Sequence, residues 1–274
     1  MATLIFLIQV SRPIVWPVLP LVYYLGLHAA HATLTPTAIV QMALLTFPMN
    51  LIGCGLNDCF DYESDRLCAR RRAIWGAVVG VAERPLIVRW CFVMALLVFS
   101  SAILTRNTGN MLATAGLLLM AVFYSVPPIR LKERPPLDSV ANGVGYFLFP
   151  FAMGLSLGAP PWTMRGKYFL LALTVCGIHA LATAADYKAD KEAGHRTLAV
   201  AYGRRTAALF AFATFLTTWL LVDFQGAFVR LFIAAGTLAT LTAAIFPREL
   251  VIMASCVIIF CGFLIASVFH VVGW

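Results

Sequence analysis

Long apolar runs broken by short polar connectors fill this chain, and they leave it few ways to fold. In hydrocarbon each backbone N–H and C=O must find its partner within the protein, so only helices or a closed barrel can cross a membrane. Barrel strands alternate polar and apolar residues, and these runs do not. A spanning helix needs roughly 20 mainly apolar residues. On that measure the sequence predicts about nine spans, at 13–31, 36–56, 87–105, 109–126, 138–158, 167–185, 206–222, 227–246 and 250–272. Pro13, Pro17 and Pro20 make the first of these short, kinked or partly interfacial. With 61% hydrophobic residues, 12% charged residues and a mean hydropathy of +0.88, the expected fold class is all-α, a polytopic transmembrane bundle. The expected organisation is one integral-membrane domain over 1–274, with a weak pseudo-repeat of halves near 1–135 and 136–274.

The net charge of +8 does not indicate a nucleic-acid partner, because the basic residues are spread through connectors instead of forming one solvated patch. They act better as topology signals, since cytoplasmic connectors are rich in Lys and Arg. Arg12, Arg66, Arg70, Arg71, Arg72, Arg84, Arg89, Arg130, Lys132, Arg134, Lys188, Lys191, Arg196, Arg204, Arg205 and Arg248 fall on one side of the nine-span scheme. Only Arg106, Arg165, Lys167 and Arg230 fall on the other. That places the amino terminus in the cytoplasm and the carboxyl terminus outside. The seven cysteines form no CxxC pair and mostly lie in apolar segments, so they are expected to be reduced core residues. Arg12 follows the first apolar run instead of preceding it, and no cleaved signal is expected.

Two acidic motifs stand out at span ends on the predicted cytoplasmic side. The first is Asn57-Asp58-Cys59-Phe60-Asp61-Tyr62-Glu63-Ser64-Asp65. On a helix, positions 57, 61 and 65 share one stripe and 58 lies beside 61, so these side chains converge while Glu63 points elsewhere. The second is Asp186 and Asp190, again four apart and followed by Gly194. Like charges at a membrane interface repel unless a cation neutralises them, and hard carboxylate oxygens suit Mg2+, which keeps coordination places for phosphate. Solvated acidic helix ends are the competing explanation for either motif alone. Arg84, before the third span, and Tyr124-Ser125-Val126-Pro127-Pro128-Ile129-Arg130-Leu131-Lys132, ending the fourth, supply candidate donors to a diphosphate. Positive-inside topology explains any one of these basic residues equally well.

Taken together, NDxxDxxxD, YSxPPxRLK and DxxxDxxxG resemble the UbiA superfamily of intramembrane prenyltransferases over most of the chain. The resemblance implies helices around a central cavity and magnesium and diphosphate binding on the cytosolic side by Asn57, Asp58, Asp61, Asp65, Asp186 and Asp190. It implies a prenyl diphosphate donor and catalytic roles for Asp58, Asp61, Asp186 and Asp190. Some members carry a shorter YxxxK in place of 124–132, which leaves open whether Arg130 or Lys132 meets the phosphate. The strings NDCFDYESDR, RLKERPPLDSVANG and Ser11-Arg12-Pro13 are similar to the lycopene elongase branch, which implies a lipophilic carotenoid acceptor. Arg71-Arg72 stands where that branch has Arg-Lys.

In this reading magnesium ionises an allylic diphosphate inside an apolar chamber, and the acceptor attacks the carbocation. Tyr124, Tyr146, Phe147, Phe149 and Tyr187 are candidate cation-facing rings or ordinary packing. Asn50 and His179 lie seven residues before Asn57 and Asp186, and Asp138 and Asn142 share a helical face. All four are candidate substrate-binding residues or partners in interhelical hydrogen bonds. An aromatic acceptor, a prenyl diphosphate cyclase and a membrane transporter remain competing functions; the acids at helix ends on one side argue against the transporter.

Overall fold

The structure, a computed structural model, describes residues 2–67, 75–224 and 226–272, with side chains to 269. Cys68 and Arg70, Arg71 and Arg72 lie outside the described residues. Among the described residues every element is a helix: α1 (Ala2–Val10), α2 (Val18–Ala29), α3 (Pro36–Leu44), α4 (Phe47–Phe60), α5 (Tyr62–Leu67), α6 (Arg84–Leu104), α7 (Thr108–Ser125), α8 (Leu137–Gly143), α9 (Phe149–Leu155), α10 (Gly166–Glu192), α11 (Leu198–Tyr202), α12 (Arg204–Leu221), α13 (Ala227–Ile245) and α14 (Glu249–Val272). Short 3-10 turns and one π-helical turn, Val144–Leu148, join some of them.

Among the described residues six helical segments are long and apolar enough to cross a membrane, and α1 with Pro13–Ala29 makes a seventh if that pair, bent by 52°, counts as one span. Each of the nine expected spans coincides with a helix or a broken pair. The expected span 138–158 is divided into α8, the π-helical turn and α9, and Pro150 explains the break, because it has no N–H to bond Tyr146 O. The span 206–222 is α12, which opens on Arg204-Arg205. The pattern is that of an integral membrane protein.

The chain forms two compact units, one of residues 1–130 and 149–163 and the other of 131–148 and 164–274. In the first, α2 and α9 cross backbone to backbone. A Cβ on Gly154 would stand 1.9 Å from Tyr23 O, and one on Gly26 would stand 2.0 Å from Phe151 O. Small residues let membrane helices approach this closely. A buried polar chain fixes their surroundings: Tyr23 Oη donates to Gln41 Oε1 at 2.8 Å, Gln41 Nε2 to Asn110 Oδ1 at 2.8 Å, and Asn110 Nδ2 to Met153 O at 2.8 Å. Each of these side chains satisfies another, as burial of polar groups requires.

Pro48 breaks the helix between α3 and α4 by removing the N–H that would bond Leu44 O. Asn50 braces the turn, its amide donating to Thr46 O at 2.8 Å and Leu45 O at 3.2 Å. In the second unit α10 is the central packing surface. Gly177 admits Thr214 and Ala211 of α12, and Gly143 of α8 lies against Ala172 and Cys176. Gly236 of α13 takes the ring of Phe215 from α12.

Candidate functional site

The first acidic motif begins on α4 and ends on α5. The helix does not run through it as the spacing predicts: Asp61 is non-helical, with φ −113° and ψ 15°, and separates the two elements. Backbone bonds preserve the register across this break, from Asp61 N to Asp58 O at 3.3 Å and from Asp65 N to Asp61 O at 2.8 Å. Asp58, Asp61 and Asp65 are consequently all buried, at 0%, 7% and 2% exposure. Asn57 is half-buried. Glu63 faces away as expected and pairs with Arg66 at 2.7 Å.

Buried carboxylates demand neutralisation, and two arginines supply it. Arg12, in the bend before α2 with φ 53°, makes a close ion pair with Asp58. Arg130 Nη2 lies 3.7 Å from Asp61 Oδ1 and 3.4 Å from Phe60 O, with the guanidinium over the Phe60 ring. Arg130 was a sequence candidate. Arg12 was counted for topology and within the Ser11-Arg12-Pro13 string, and no helical periodicity could bring it to the motif, because the contact spans 46 residues and depends on a left-handed bend. Arg84 opens α6, with Nε buried, and Tyr124 is half-buried near the end of α7.

The second motif lies on the last turns of α10, where Asp186 and Asp190 share a stripe at i and i+4 and both are half-buried. The helix ends at a left-handed Gly194 with φ 78°, a conformation suited to glycine. The following loop folds back on the helix: His195 N donates to Asp190 O at 2.9 Å, and Thr197 Oγ1 donates to Asp190 Oδ2 at 3.3 Å. Tyr187 carries two cations, Arg204 at 5.0 Å and Lys191 at 5.5 Å from its ring. Arg204, expected to serve topology alone, also reaches Glu249 at 3.6 Å, and Lys188 reaches the same carboxylate at 2.7 Å.

The remaining candidates engage the protein itself. Asp138 is fully buried and accepts from two backbone amides, Ser139 N at 2.7 Å and Leu198 N at 2.8 Å. Asn142 Nδ2 donates to Asp138 O at 3.0 Å, and His179 Nδ1 meets Ser139 Oγ at 3.2 Å. Asn50 has the anchoring role described above, with its Oδ1 buried. Lys132 is buried at 6% exposure. Of the candidate rings, Phe147 is buried and Tyr146 and Phe149 are half-buried.

The donor chemistry suits magnesium. Each motif offers hard carboxylate oxygens, and no group of three His, Cys, Asp or Glu among the described residues forms an all-protein metal cage. Mg2+ is commonly held by one or two carboxylates together with substrate phosphates and water, and not by such a cage.

A family model described as the UbiA prenyltransferase family matches residues 14–270. A lycopene elongase/hydratase of Halobacterium salinarum is 30% identical over 213 residues, 75% of this chain and 74% of that protein. One of Corynebacterium glutamicum is 29% identical over 181 residues, covering 64% of this chain; the match spans 61% of that relative's length. The structure of a UbiA homologue from Archaeoglobus fulgidus, bound to DMAPP and Mg2+, superposes with a TM-score of 0.67 at 20% identity, covering 97% of this chain and 87% of the other.

Proposed function

Because the chain belongs to the UbiA prenyltransferase family, we propose that it transfers a prenyl group from an allylic prenyl diphosphate to a lipophilic acceptor of the carotenoid type. The observation that carries the reading is the first motif, where three buried carboxylates are collected across a helix break and two of them, Asp58 and Asp61, face arginines. A membrane-embedded helix end has no structural need for three buried acids, and their desolvation is costly unless cations complete the set. The lycopene elongase/hydratase relatives support the acceptor class, and the DMAPP and Mg2+ of the structural neighbour support the donor and the metal.

In this mechanism Asn57, Asp58, Asp61 and Asp65 of one motif and Asp186 and Asp190 of the other are the residues that would hold magnesium. Magnesium there would supply Lewis acidity toward the negative charge of a leaving diphosphate. Arg12 and Arg130 donate charge-assisted hydrogen bonds to the diphosphate oxygens, with Arg84 and Lys132 as further donors. The apolar helix faces exclude water while the allylic cation exists, and aromatic rings face it. A double bond of the acceptor then forms the new C–C bond, and the resulting cation loses a proton or takes up water. The enzyme sits in the cytoplasmic membrane with its amino terminus and acidic motifs on the cytoplasmic side, a placement supported by 16 of its 20 Lys and Arg falling on that side.

The test is an incubation of purified protein with labelled prenyl diphosphates of several lengths, with lycopene, with an aromatic acceptor, or with neither. A carotenoid extended by one prenyl unit is the expected product. Label found only in an aromatic product, or in a cyclised donor, assigns a different acceptor or no acceptor, and unchanged donor in every arm contradicts the reaction class.

A further inference from the structure

The segment that opens the second unit, 131–143, holds the loop that follows Asp190 at two points. Glu133 Oε1 accepts from His195 Nδ1 at 2.6 Å, and Asp138 Oδ2 accepts from Leu198 N at 2.8 Å. Between these two anchors lies Thr197, whose hydroxyl donates to Asp190 Oδ2. The segment is itself fastened to α10, by Ser139 on His179 and by Gly143, where a Cβ would stand 2.4 Å from Cys176 Sγ and 2.7 Å from Ala172 O. The loop ends are therefore referred to the body of the same helix that carries Asp186 and Asp190.

A carboxylate at 0% exposure has a large desolvation cost, and Asp138 recovers it through charge-assisted bonds to backbone N–H groups. One of those bonds closes a contact across 60 residues. An apolar side chain would fill the same space without that cost, but it would leave the Leu198 amide without this acceptor. What the acid holds is the amide next to Thr197. If that amide is released, the Thr197 hydroxyl is no longer fixed in its place on Asp190.

From this geometry we infer that Asp138 and Glu133 are positioning residues, which fix the 193–198 loop so that Asp190 is oriented for a divalent cation. The inference rests on the proposed metal role of the second motif. It moves Asp138 from the substrate-binding candidates to a role exerted through the loop, and it adds Glu133, which the motif spacing did not single out.

The test is a titration with Mn2+ followed by electron paramagnetic resonance, on the full chain in detergent with inorganic diphosphate present. Wild type, Asp190→Ala, Asp138→Asn and Glu133→Gln are compared, with thermal unfolding and amide hydrogen exchange over 193–202 measured in parallel. Asp138→Asn is expected to weaken Mn2+ binding about fivefold or more, and to speed exchange at Leu198 about tenfold, at an unchanged unfolding temperature. Glu133→Gln is expected to move binding the same way by about twofold, and it carries the test if Asp138→Asn does not fold. A purely structural role would lower the unfolding temperature and leave the affinity of the folded protein at the wild-type value. Wild-type affinity in both folded variants, with Asp190→Ala still impaired, overturns the inference and leaves the metal reading in place. Wild-type affinity in Asp190→Ala overturns that reading and the inference together.

Discussion

Replacing Arg12 with Leu should destabilise the protein far more than replacing its partner Asp58 with Asn. Asp58 has no exposed surface, whereas the Arg12 side chain keeps 22% of its own. Removing the cation leaves a buried carboxylate short of a counter-charge, a loss of about 3–5 kcal/mol for a buried pair; the partial exposure of Arg12 puts this pair near the lower bound. Removing the charge on Asp58 leaves an arginine that turns toward water, at about 1 kcal/mol. The difference of about 2 kcal/mol corresponds to roughly 30-fold in the unfolding equilibrium constant at 1.36 kcal/mol per factor of ten. Both variants and the double variant can be followed by reversible unfolding of the purified protein in mixed micelles. The double variant should fall close to Asp58→Asn, because the buried charge that penalises Arg12→Leu is gone. Magnesium with inorganic diphosphate should recover part of the loss in Arg12→Leu and none in the double variant. Equal destabilisation by the two single changes, or recovery in the double variant, would refute the assignment of Arg12 as the counter-charge of Asp58.

Other perturbations follow from the same structure. Gly154→Val should prevent the α2 and α9 crossing, since its Cβ would overlap Tyr23 O at 1.9 Å; a drop in folded yield and unfolding temperature checks it, and a normally stable variant contradicts it. Gln41→Leu strands Tyr23 Oη and Asn110 Oδ1 in an apolar interior, so it should cost about 1–3 kcal/mol for each group left without a partner, measured by the same unfolding assay. Chelation of divalent cations should stop prenyl transfer, and Mg2+ should restore it. Glu63→Gln, on an exposed pair with Arg66, should leave transfer unchanged, and loss of activity in that variant would place the first motif's working face incorrectly.

The sequence is most informative where the physics is local. Apolar run length set the spans, because backbone satisfaction in lipid admits few alternatives, and helical spacing indicated which acids of the first motif turn inward. Buried Asp58, Asp61 and Asp65 and exposed Glu63 agree with that spacing. The spacing did not reveal the helix break at Asp61, since a residue at the C-cap keeps nearly the register of a continuous helix when the following N–H groups still bond back. Long-range partners were illegible for a different reason. Arg12 reaches Asp58 through a bend, and Asp138 reaches Leu198 across the unit, and neither separation leaves a periodic signal. Asn50 illustrates the ambiguity of polar residues in membrane helices. Its position two turns before Asn57 points to a cavity, and its amide instead bonds Leu45 O and Thr46 O in the turn beside Pro48.

The central claim is that carboxylates of both motifs serve the ionisation of one diphosphate. It is tested most directly by the rate of magnesium-dependent diphosphate release from a labelled allylic donor in wild type, Asp58→Asn, Asp186→Asn and the double variant, each verified as folded in detergent. The account predicts that each single change lowers the rate by at least about a hundredfold, and that the double variant is little worse than either alone, because residues that act as one unit are strongly non-additive. Near wild-type release by either single variant, or losses that simply multiply in the double variant, would contradict it.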